Sequence, residues 1–283
     1  MEGSFVSTAG YRKTKKGKIK IKRATPSSIA IKSTLFILLG LTIYGFIGLD
    51  SKGVELFEAL SSSLINLKKM FFEANYTHFT IKEALYQILI TFGLALLTTL
   101  IGSFFALILG LLAAENLSNK KVSTIIKGFV AFIRAVPTVL WVLIFAVAAG
   151  LGSVAAVIGM TFHTVGYLIK SYSESFEELD AGVIEALKAS GANWWQIVFQ
   201  AVLPSSATYL LSWTFIRFEI NFTNAVAMGA AAGAGGIGFE LFMASGFYFD
   251  LREVGFITYL VLFSAIILEV LSTKLKNRLV VSN

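Results

Sequence analysis

The sequence has no cysteine, only three prolines among 283 residues, and few charges, since Asp, Glu, Lys and Arg make up 14% of it. The absence of cysteine excludes disulfides, thiolate metal sites and a cysteine nucleophile. The two histidines, His78 and His163, are too few for a histidine-rich metal site. A soluble fold of this length needs more polar surface than this composition supplies.

Apolar residues dominate instead, because 56% of the chain is hydrophobic and its mean hydropathy is +0.76. They are gathered into long runs: 84–114 and 135–169 contain no Asp, Glu, Lys or Arg over 31 and 35 residues. A helix of about 20 residues crosses the hydrocarbon core of a bilayer, which is about 30 Å thick. The sequence therefore predicts an all-α, polytopic membrane protein.

Six transmembrane helices account for the apolar runs. The third and the fourth are separated by a predicted turn at Gly150–Ser153, where two glycines interrupt the helical pattern. Residues 84–273 form the predicted main transmembrane domain, and 29–49 form a separate first helix. The predicted spans cover residues 29–49, 84–114, 125–149, 154–169, 205–227 and 254–273.

The distribution of Lys and Arg predicts the orientation of these spans. Eight basic residues lie between Arg12 and Arg23, and the loops and tails on this side carry 16 in total, against five on the other. The more basic side is expected in the cytosol, which makes 1–28 and 274–283 cytoplasmic tails. The net charge of +7 therefore indicates contact with anionic membrane lipid rather than with nucleic acid.

Residues 50–83 form a predicted extracytoplasmic segment between the first and second spans. Apolar residues recur there at helical spacing among Glu, Ser and Lys, at Leu56, Leu60, Leu64, Leu67 and Phe71. This pattern predicts an amphipathic helix on the outer face of the membrane. A surface for a partner protein is the alternative.

The loop 174–204, between the fourth and fifth predicted spans, has an unusual composition for a connection. A helix is predicted over Glu185–Ser190, with Gly191 ending or kinking it. Pro204 stands where the next span begins, a favoured first-turn position. Between them lies an apolar group that water solvates poorly, formed by Trp194, Trp195, Ile197 and Val198. We expect a short helix with a small-residue apex across the cytosolic end of the bundle, a shape suited to docking into another protein.

Five positions of this loop resemble, at the required spacing, the EAA loop of bacterial ABC-importer permeases: Glu185, Ala186, Gly191, Leu203 and Pro204. Leu187 and Ala201 depart from the pattern, which has Ala and Ile there. The resemblance implies a type I importer permease whose coupling helix is held in a cleft of a cytosolic ATPase dimer. The coupling residues that it implies are Glu185, Ala186, Leu187, Gly191, Ala192, Leu203 and Pro204.

The chain contains no G-x-x-x-x-G-K-[ST] sequence, so it lacks the loop that cradles ATP in P-loop ATPases. The resemblance therefore implies a non-catalytic subunit without a cofactor or metal of its own. ATP and Mg²⁺ are expected in the partner ATPase.

Three further runs are similar to those of phosphonate-importer permeases, namely FIRAVP at 132–137, RFEIN at 217–221 and GAGGIGFE at 233–240. The likeness covers about residues 84–271. It implies transport of a phosphonate or a related phosphorus oxyanion across a bacterial cell membrane. It also implies an extracytoplasmic substrate-binding protein and a second permease copy, most simply in a homodimer.

Two opposite charges, Arg217 and Glu219, lie near the middle of the fifth predicted span, where facing lipid costs several kcal/mol. Two residues apart on a helix, they point about 200° from each other and do not pair directly. Arg217 shares a face with Asn221 and roughly with Asn224. These four residues form a candidate pathway for an anion, and a buried ion pair of Arg217 with another helix or subunit is the alternative. Arg134, close to Pro137, is interpreted as a snorkelling anchor.

The run at 233–238 fits G-x-G-x-x-G literally, the pattern of dinucleotide-binding loops. We reject that interpretation because no strand precedes the run. A tight non-helical gate or hinge loop outside the membrane is the better prediction. Its residues are Gly233, Gly235, Gly236 and Gly238.

Two other functions compete with the phosphonate hypothesis. A permease of an amino-acid or methionine importer would share the EAA-like loop and a similar glycine run. An ion-coupled secondary transporter would use Arg217 and Glu219 but leaves the cytosolic loop without a purpose. A membrane enzyme is disfavoured, since the chain offers no paired acid–base or nucleophile constellation.

Overall fold

The computed structural model describes residues 11–13, 19–21, 26–48, 53 and 55–281. The chain divides into two compact units, 1–61 and 62–283. The first contains two short antiparallel strands, β1 (Tyr11–Lys13) and β2 (Ile19–Ile21), and the apolar helix α1 (Pro26–Gly48). Helix α1 matches the predicted first span, whereas most of the predicted basic tail lies outside the described residues.

All regular secondary structure among the described residues of the second unit is helical, which confirms the predicted fold class. Helix α2, Leu56–Phe72, begins in the first unit and matches the predicted amphipathic segment. The remaining helices are α3 (Ile81–Ala113), α4 (Lys120–Ala135), α5 (Thr138–Ala149), α6 (Ser153–Glu177), α7 (Ala181–Ala189), α8 (Trp194–Ile197), α9 (Leu203–Ala232), α10 (Ile237–Gly246) and α11 (Leu251–Val281), with a π-helical segment at Val198–Val202.

Four helices in the described part of the chain are long and apolar enough to cross a membrane: α1, α3, α6 and α11. The number rises to six if each of two bent helix pairs counts as one span. Helix α11 continues to Val281, so most of the predicted C-terminal tail at 274–283 is helical.

The predicted third span, 125–149, is broken into two helices. Helices α4 and α5 meet at an angle of 88° around Pro137. Proline lacks a backbone N–H and forces the preceding residue into extended conformation, as observed for Val136. The indole Nε1 of Trp141 donates a hydrogen bond to the carbonyl of Ile133 at 3.1 Å, which satisfies one group freed by the break.

Helix α6 lies in the middle of the bundle, where small residues allow close approach of its neighbours. A Cβ added to Gly159 would lie 2.5 Å from the backbone of Val142 in α5, and one added to Gly166 would lie 2.9 Å from Ile133 in α4. Gly102 of α3 likewise faces Thr164 of α6. Such glycines are typical of tightly packed membrane helices.

A buried carboxylate ties the loop before α3 to the start of α11. Glu253 is fully buried, and its Oε1 accepts hydrogen bonds from the backbone N–H groups of Thr77 (3.1 Å) and His78 (2.8 Å). Its Oε2 lies 2.7 Å from Nδ1 of His78. His78, Asp250 and Glu253 place possible ligand atoms within 4.8 Å of one another. Through these contacts Glu253 acts as a clamp between the loop before α3 and the start of α11.

Removing the clamp is expected to destabilise the protein. Glu253→Ala leaves two backbone N–H groups unsatisfied and should lower the free energy of unfolding by about 2–4 kcal/mol. Thermal unfolding of the purified chain in detergent measures the effect. Glu73→Ala is the control, because the pair of Glu73 with Arg252 (2.8 Å) is exposed and should contribute less than about 1 kcal/mol. Equal melting temperatures for the two variants would contradict the assignment.

Candidate functional site

The predicted coupling segment begins with a longer helix than expected. Helix α7 starts at Ala181, four residues before the predicted start at Glu185, because Asp180 caps it by accepting a hydrogen bond from the N–H of Gly182 at 2.8 Å. Ile184 is buried, whereas Glu185 and Ala186 are exposed. The helix therefore anchors one side in the bundle and presents the other to solvent.

Gly191 terminates α7 and reverses the chain. Its φ of +86° lies in the left-handed region, which favours glycine, and an added Cβ would meet open space. Asn193 then caps α8 by accepting from the N–H of Gln196, whose side chain accepts in turn from the N–H of Asn193. The predicted helix–kink–helix shape is present, with Gly191 at its exposed apex.

The apolar group after the apex splits into an anchored part and an exposed part. Ile197 and Val198 are buried in the core, and Nε1 of Trp194 donates to the carbonyl of Leu117 at 2.9 Å. Trp195, in contrast, has 62% of its surface exposed. The hydrogen bond from Trp194 joins the segment to the turn between α3 and α4, a contact that the sequence pattern does not reveal.

A π-helical segment connects α8 to α9. The N–H of Leu203 donates to the carbonyl of Val198, five residues earlier, and Pro204 has no N–H to continue the ladder. Leu203 and Pro204 thus form the first turn of α9, as predicted, but the helix starts two residues earlier than the span at 205–227. The proline is the sequence signal that explains the irregularity.

A charged cluster fastens the turn between α3 and α4 to the end of α6. The Nζ of Lys127 lies 2.8 Å from Oε1 of Glu115 and 3.0 Å from Oε1 of Glu177. The hydrogen bond and charge of Lys127 lower the pKa of the exposed Glu115 carboxyl. Asn116 also donates to the carbonyl of Phe176 at 2.8 Å. The segment of α7 and α8, which is the predicted coupling segment, therefore rests on a turn that is itself held by ion pairs.

Arg217 and Asn221 lie in a polar core between α9, α6 and α3. Arg217 is 2% exposed, and its Nε donates to the hydroxyl of Thr164 at 3.1 Å. Its Nη2 lies 3.2 Å from Nδ1 of His163, and its guanidinium carbon lies 5.1 Å from the ring centre of Tyr167. Among the described residues, no carboxylate lies within 4.0 Å of Arg217. The predicted alternative, a buried ion pair with another helix, is not formed in this part of the chain.

Asn221 extends the polar core to α3. Its Nδ2 donates to Oγ1 of Thr99 at 2.9 Å, and its Oδ1 accepts from the hydroxyl of Thr164 at 3.1 Å. Glu219 points elsewhere, with Oε1 at 4.0 Å from Nζ of Lys276 in α11. Asn224 is half-buried and one turn beyond Asn221. The structure thus brings Arg217 and Asn221 together and separates Glu219 from both.

The glycine run forms a tight connection between α9 and α10. Gly233, Gly235 and Gly236 have φ between +61° and +79°, which explains glycine at these positions. Gly238 differs from the prediction, because it lies in α10 and packs against the backbone of Val226 in α9. The N–H of Ile237 donates to Oγ1 of Thr91 at 3.0 Å, which fixes the connection to α3.

Gly238→Ala is expected to separate α9 from α10. The added Cβ would collide with the carbonyl of Val226, which is backbone and cannot rotate away, so a loss of about 1–3 kcal/mol is expected. Gly93→Ala in α3 is the matched control, because an added Cβ there meets open space and alanine favours a helix by about 1 kcal/mol. Thermal unfolding should therefore move in opposite directions for the two variants. A Gly238→Ala protein as stable as the parent would contradict this packing.

Comparison with known proteins agrees with this architecture. Residues 106–280 match the model of the family described as binding-protein-dependent transport system inner membrane component. The phosphate-import permease protein PhnE of Mycolicibacterium smegmatis is 32% identical over 153 residues, which cover 54% of this chain but only 29% of that protein. The phosphite transport system permease protein PtxC of Stutzerimonas stutzeri is 31% identical over 188 residues, which cover 66% of this chain and 68% of that protein.

A solved structure shares the fold. An inward-facing conformation of the MetNI methionine ABC transporter superimposes with a TM-score of 0.62 at 20% identity, covering 69% of this chain and 95% of that chain. The helical bundle is therefore that of a type I ABC importer permease. The family model matches more than half of the length of this chain, and the fold agrees with it. The chain therefore belongs to the family of binding-protein-dependent transport system inner membrane components, the permeases of ABC importers.

Proposed function

We propose that this permease moves a phosphonate or a related phosphorus oxyanion into the cell. The identity to relatives named for phosphate import and phosphite transport, 32% and 31%, supports this substrate class. The runs at 132–137, 217–221 and 233–240 add the resemblance to phosphonate importers. Permeases named for methionine import are also similar in sequence, at the lower identities of 26% and 28%, so methionine is the weaker alternative.

The complete importer contains two permease copies, a cytosolic ATPase dimer and an extracytoplasmic binding protein. The chain itself is non-catalytic, and ATP and Mg²⁺ bind to the ATPase. Both termini lie in the cytosol of a bacterial cell, consistent with the excess of Lys and Arg on that side, 16 against five. This orientation places the coupling segment of α7 and α8 beside the ATPase.

The segment of α7 and α8 is the observation that supports coupling of this chain to an ATPase. Its apex at Gly191 is exposed and free of side-chain bulk, while Ile184, Ile197 and Val198 hold its other face in the bundle. A lever needs such an arrangement, because the exposed part must fit closely into a partner and the buried part must move the helices. Closure of the ATPase dimer on ATP would then displace α9 through the π-helical segment, and α3 and α4 through Trp194.

Arg217 supplies the positive charge for the anion. A buried cation without a carboxylate partner is costly, and inside a membrane such a residue is by default a functional candidate. Hydroxyl, imidazole and aromatic groups surround the guanidinium in this conformation. Opening of the bundle during the transport cycle would exchange these neutral partners for the oxyanion. Asn221, Asn224 and Glu219 lie on the same helix and are the other proposed pathway residues. The connection at Gly233–Gly236 acts as the extracytoplasmic gate.

Uptake by cells that express the chain with its ATPase and binding protein tests the substrate. Labelled methylphosphonate, phosphite, phosphate and methionine are compared in separate assays. Uptake of one phosphorus oxyanion, with methionine excluded, is the expected result. Uptake of methionine alone would retain the importer architecture and reject the proposed substrate class.

A further inference from the structure

A cavity of about 300 Å³ lies between α4 and α6. Its apolar wall is formed by Val130, Ala131 and Ile169. Its size is at the lower end of the range for small-molecule sites, which combine apolar walls with a few placed polar groups. The cavity therefore has the dimensions of a site for a small anion or a headgroup.

Three cations line this cavity together with two carboxylates, Glu174 and Glu177, and the partners of the cations differ. Lys127 is held by Glu115 and Glu177 at 2.8 and 3.0 Å, and these two carboxylates more than balance its charge, so it is not available to an anion. Lys170 pairs loosely with Glu174 at 3.5 Å, and both side chains are about half exposed, so solvent screens the pair. Arg134 has no carboxylate within 4.0 Å among the residues that the structure describes.

The aliphatic stem of Arg134 packs against α6. A Cβ added to Gly166 of that helix would lie 3.4 Å from Cγ of Arg134. The neighbouring turn is held by the hydrogen bond from Trp141 to the carbonyl of Ile133. The side chain of Arg134 lines the cavity and remains exposed, so a ligand can reach its guanidinium.

We propose that this cavity binds a phosphate-type oxyanion through Arg134 and Lys170, with its alkyl part against Val130, Ala131 and Ile169. A guanidinium presents paired donors that match two oxygens of one phosphorus, and Lys170 adds a mobile charge. The group comes from a free alkylphosphonate or phosphate, or from the phosphodiester of a lipid headgroup, since basic pockets between membrane helices hold anionic lipids. This site is additional to the proposed transport of the substrate past Arg217.

Binding to the purified importer in phosphatidylcholine nanodiscs tests the site. Titration with methylphosphonate and with inorganic phosphate measures the free anions, and native mass spectrometry after addition of phosphatidylglycerol measures the lipid. Arg134→Gln and Lys170→Gln should each lower the affinity for at least one of these ligands by about tenfold, the usual loss for a charge-assisted hydrogen bond. Lys121→Gln, the same charge change on the exposed side of α4, should leave binding unchanged.

A second variant separates binding from folding. Ala131→Phe fills the cavity without altering a charge and should abolish binding in a protein that still assembles. If the variants lose binding of the soluble anions, the ligand is a free oxyanion. If they lose the retained phosphatidylglycerol instead, the ligand is a lipid headgroup. The proposal is overturned if the parent protein binds none of the probes, or if Arg134→Gln binds like the parent. It is equally overturned if only Arg217→Gln reduces binding, because the anion then belongs to the polar core.

Discussion

Gly191→Arg is expected to reduce ATP-dependent uptake by at least about tenfold, which corresponds to only 1.4 kcal/mol of coupling free energy. Gly191 forms the exposed apex between α7 and α8. A large charged side chain there would be forced into the proposed contact with the ATPase, and overpacking of a close contact is destabilising. Uptake of labelled substrate into cells, normalised to the amount of importer in the membrane, measures the effect.

Backbone strain must be separated from the loss of docking. Gly191 has a φ of +86°, and a residue with a Cβ pays about 1–2 kcal/mol in this conformation. Asn tolerates the left-handed region better than Arg, and its side chain is smaller. Gly191→Asn is therefore the control that keeps the backbone conformation and adds less bulk. We expect Gly191→Asn to retain more uptake than Gly191→Arg. Normal uptake by a stably inserted Gly191→Arg protein would contradict the proposal that the segment of α7 and α8 transmits movement from the ATPase.

Glu185→Lys tests the same surface without touching the glycine. Glu185 is exposed on α7, so its replacement leaves the core intact. Reversal of its charge should again impair uptake in a protein that folds normally. Lys188→Glu is the matched reversal on the same helix.

Arg217→Gln is expected to abolish most of the oxyanion flux while the importer still assembles and hydrolyses ATP. The amide of glutamine can still hydrogen-bond to Thr164, which Arg217 contacts at 3.1 Å, but it carries no charge to attract the substrate. A loss of about a hundredfold matches the 1.5–3 kcal/mol of a hydrogen bond to a charged group. Uptake and ATP hydrolysis are measured together on reconstituted importer.

Two further variants distinguish a pathway role from a structural one. Arg217→Lys keeps the charge and should restore part of the flux, whereas a role limited to the hydrogen bonds with Thr164 and His163 predicts no rescue. Arg252→Gln removes one positive charge from an exposed site and is the control. Unchanged flux in Arg217→Gln would refute the pathway role.

The apolar runs predicted the long helices because twenty or more uncharged residues have few alternatives to a membrane helix. Helix α3 spans Ile81–Ala113 against the predicted 84–114. Local capping was harder to predict: Asp180 starts α7 four residues before Glu185, although an Asp N-cap is visible in the sequence. The break at Val136–Pro137 also had a local signal, but a long apolar run on both sides concealed it.

Tertiary contacts account for what the sequence could not predict. The helical spacing predicted that Arg217 and Asn221 share a face, and both are buried in the polar core. Their partners Thr164 and Thr99 lie 53 and 122 residues away, so no local pattern identifies them. The start of helix α10 was hidden in the glycine run, because Gly238 in its first turn is explained only by the close approach of α9.

The most direct test of ATP-driven import is uptake with and without an active ATPase. The chain is expressed with its binding protein and with either the native ATPase or a variant that binds ATP but does not hydrolyse it. We expect accumulation of a phosphorus oxyanion only with the native ATPase. Equal accumulation with the inactive ATPase would contradict it and indicate a transporter driven by another energy source.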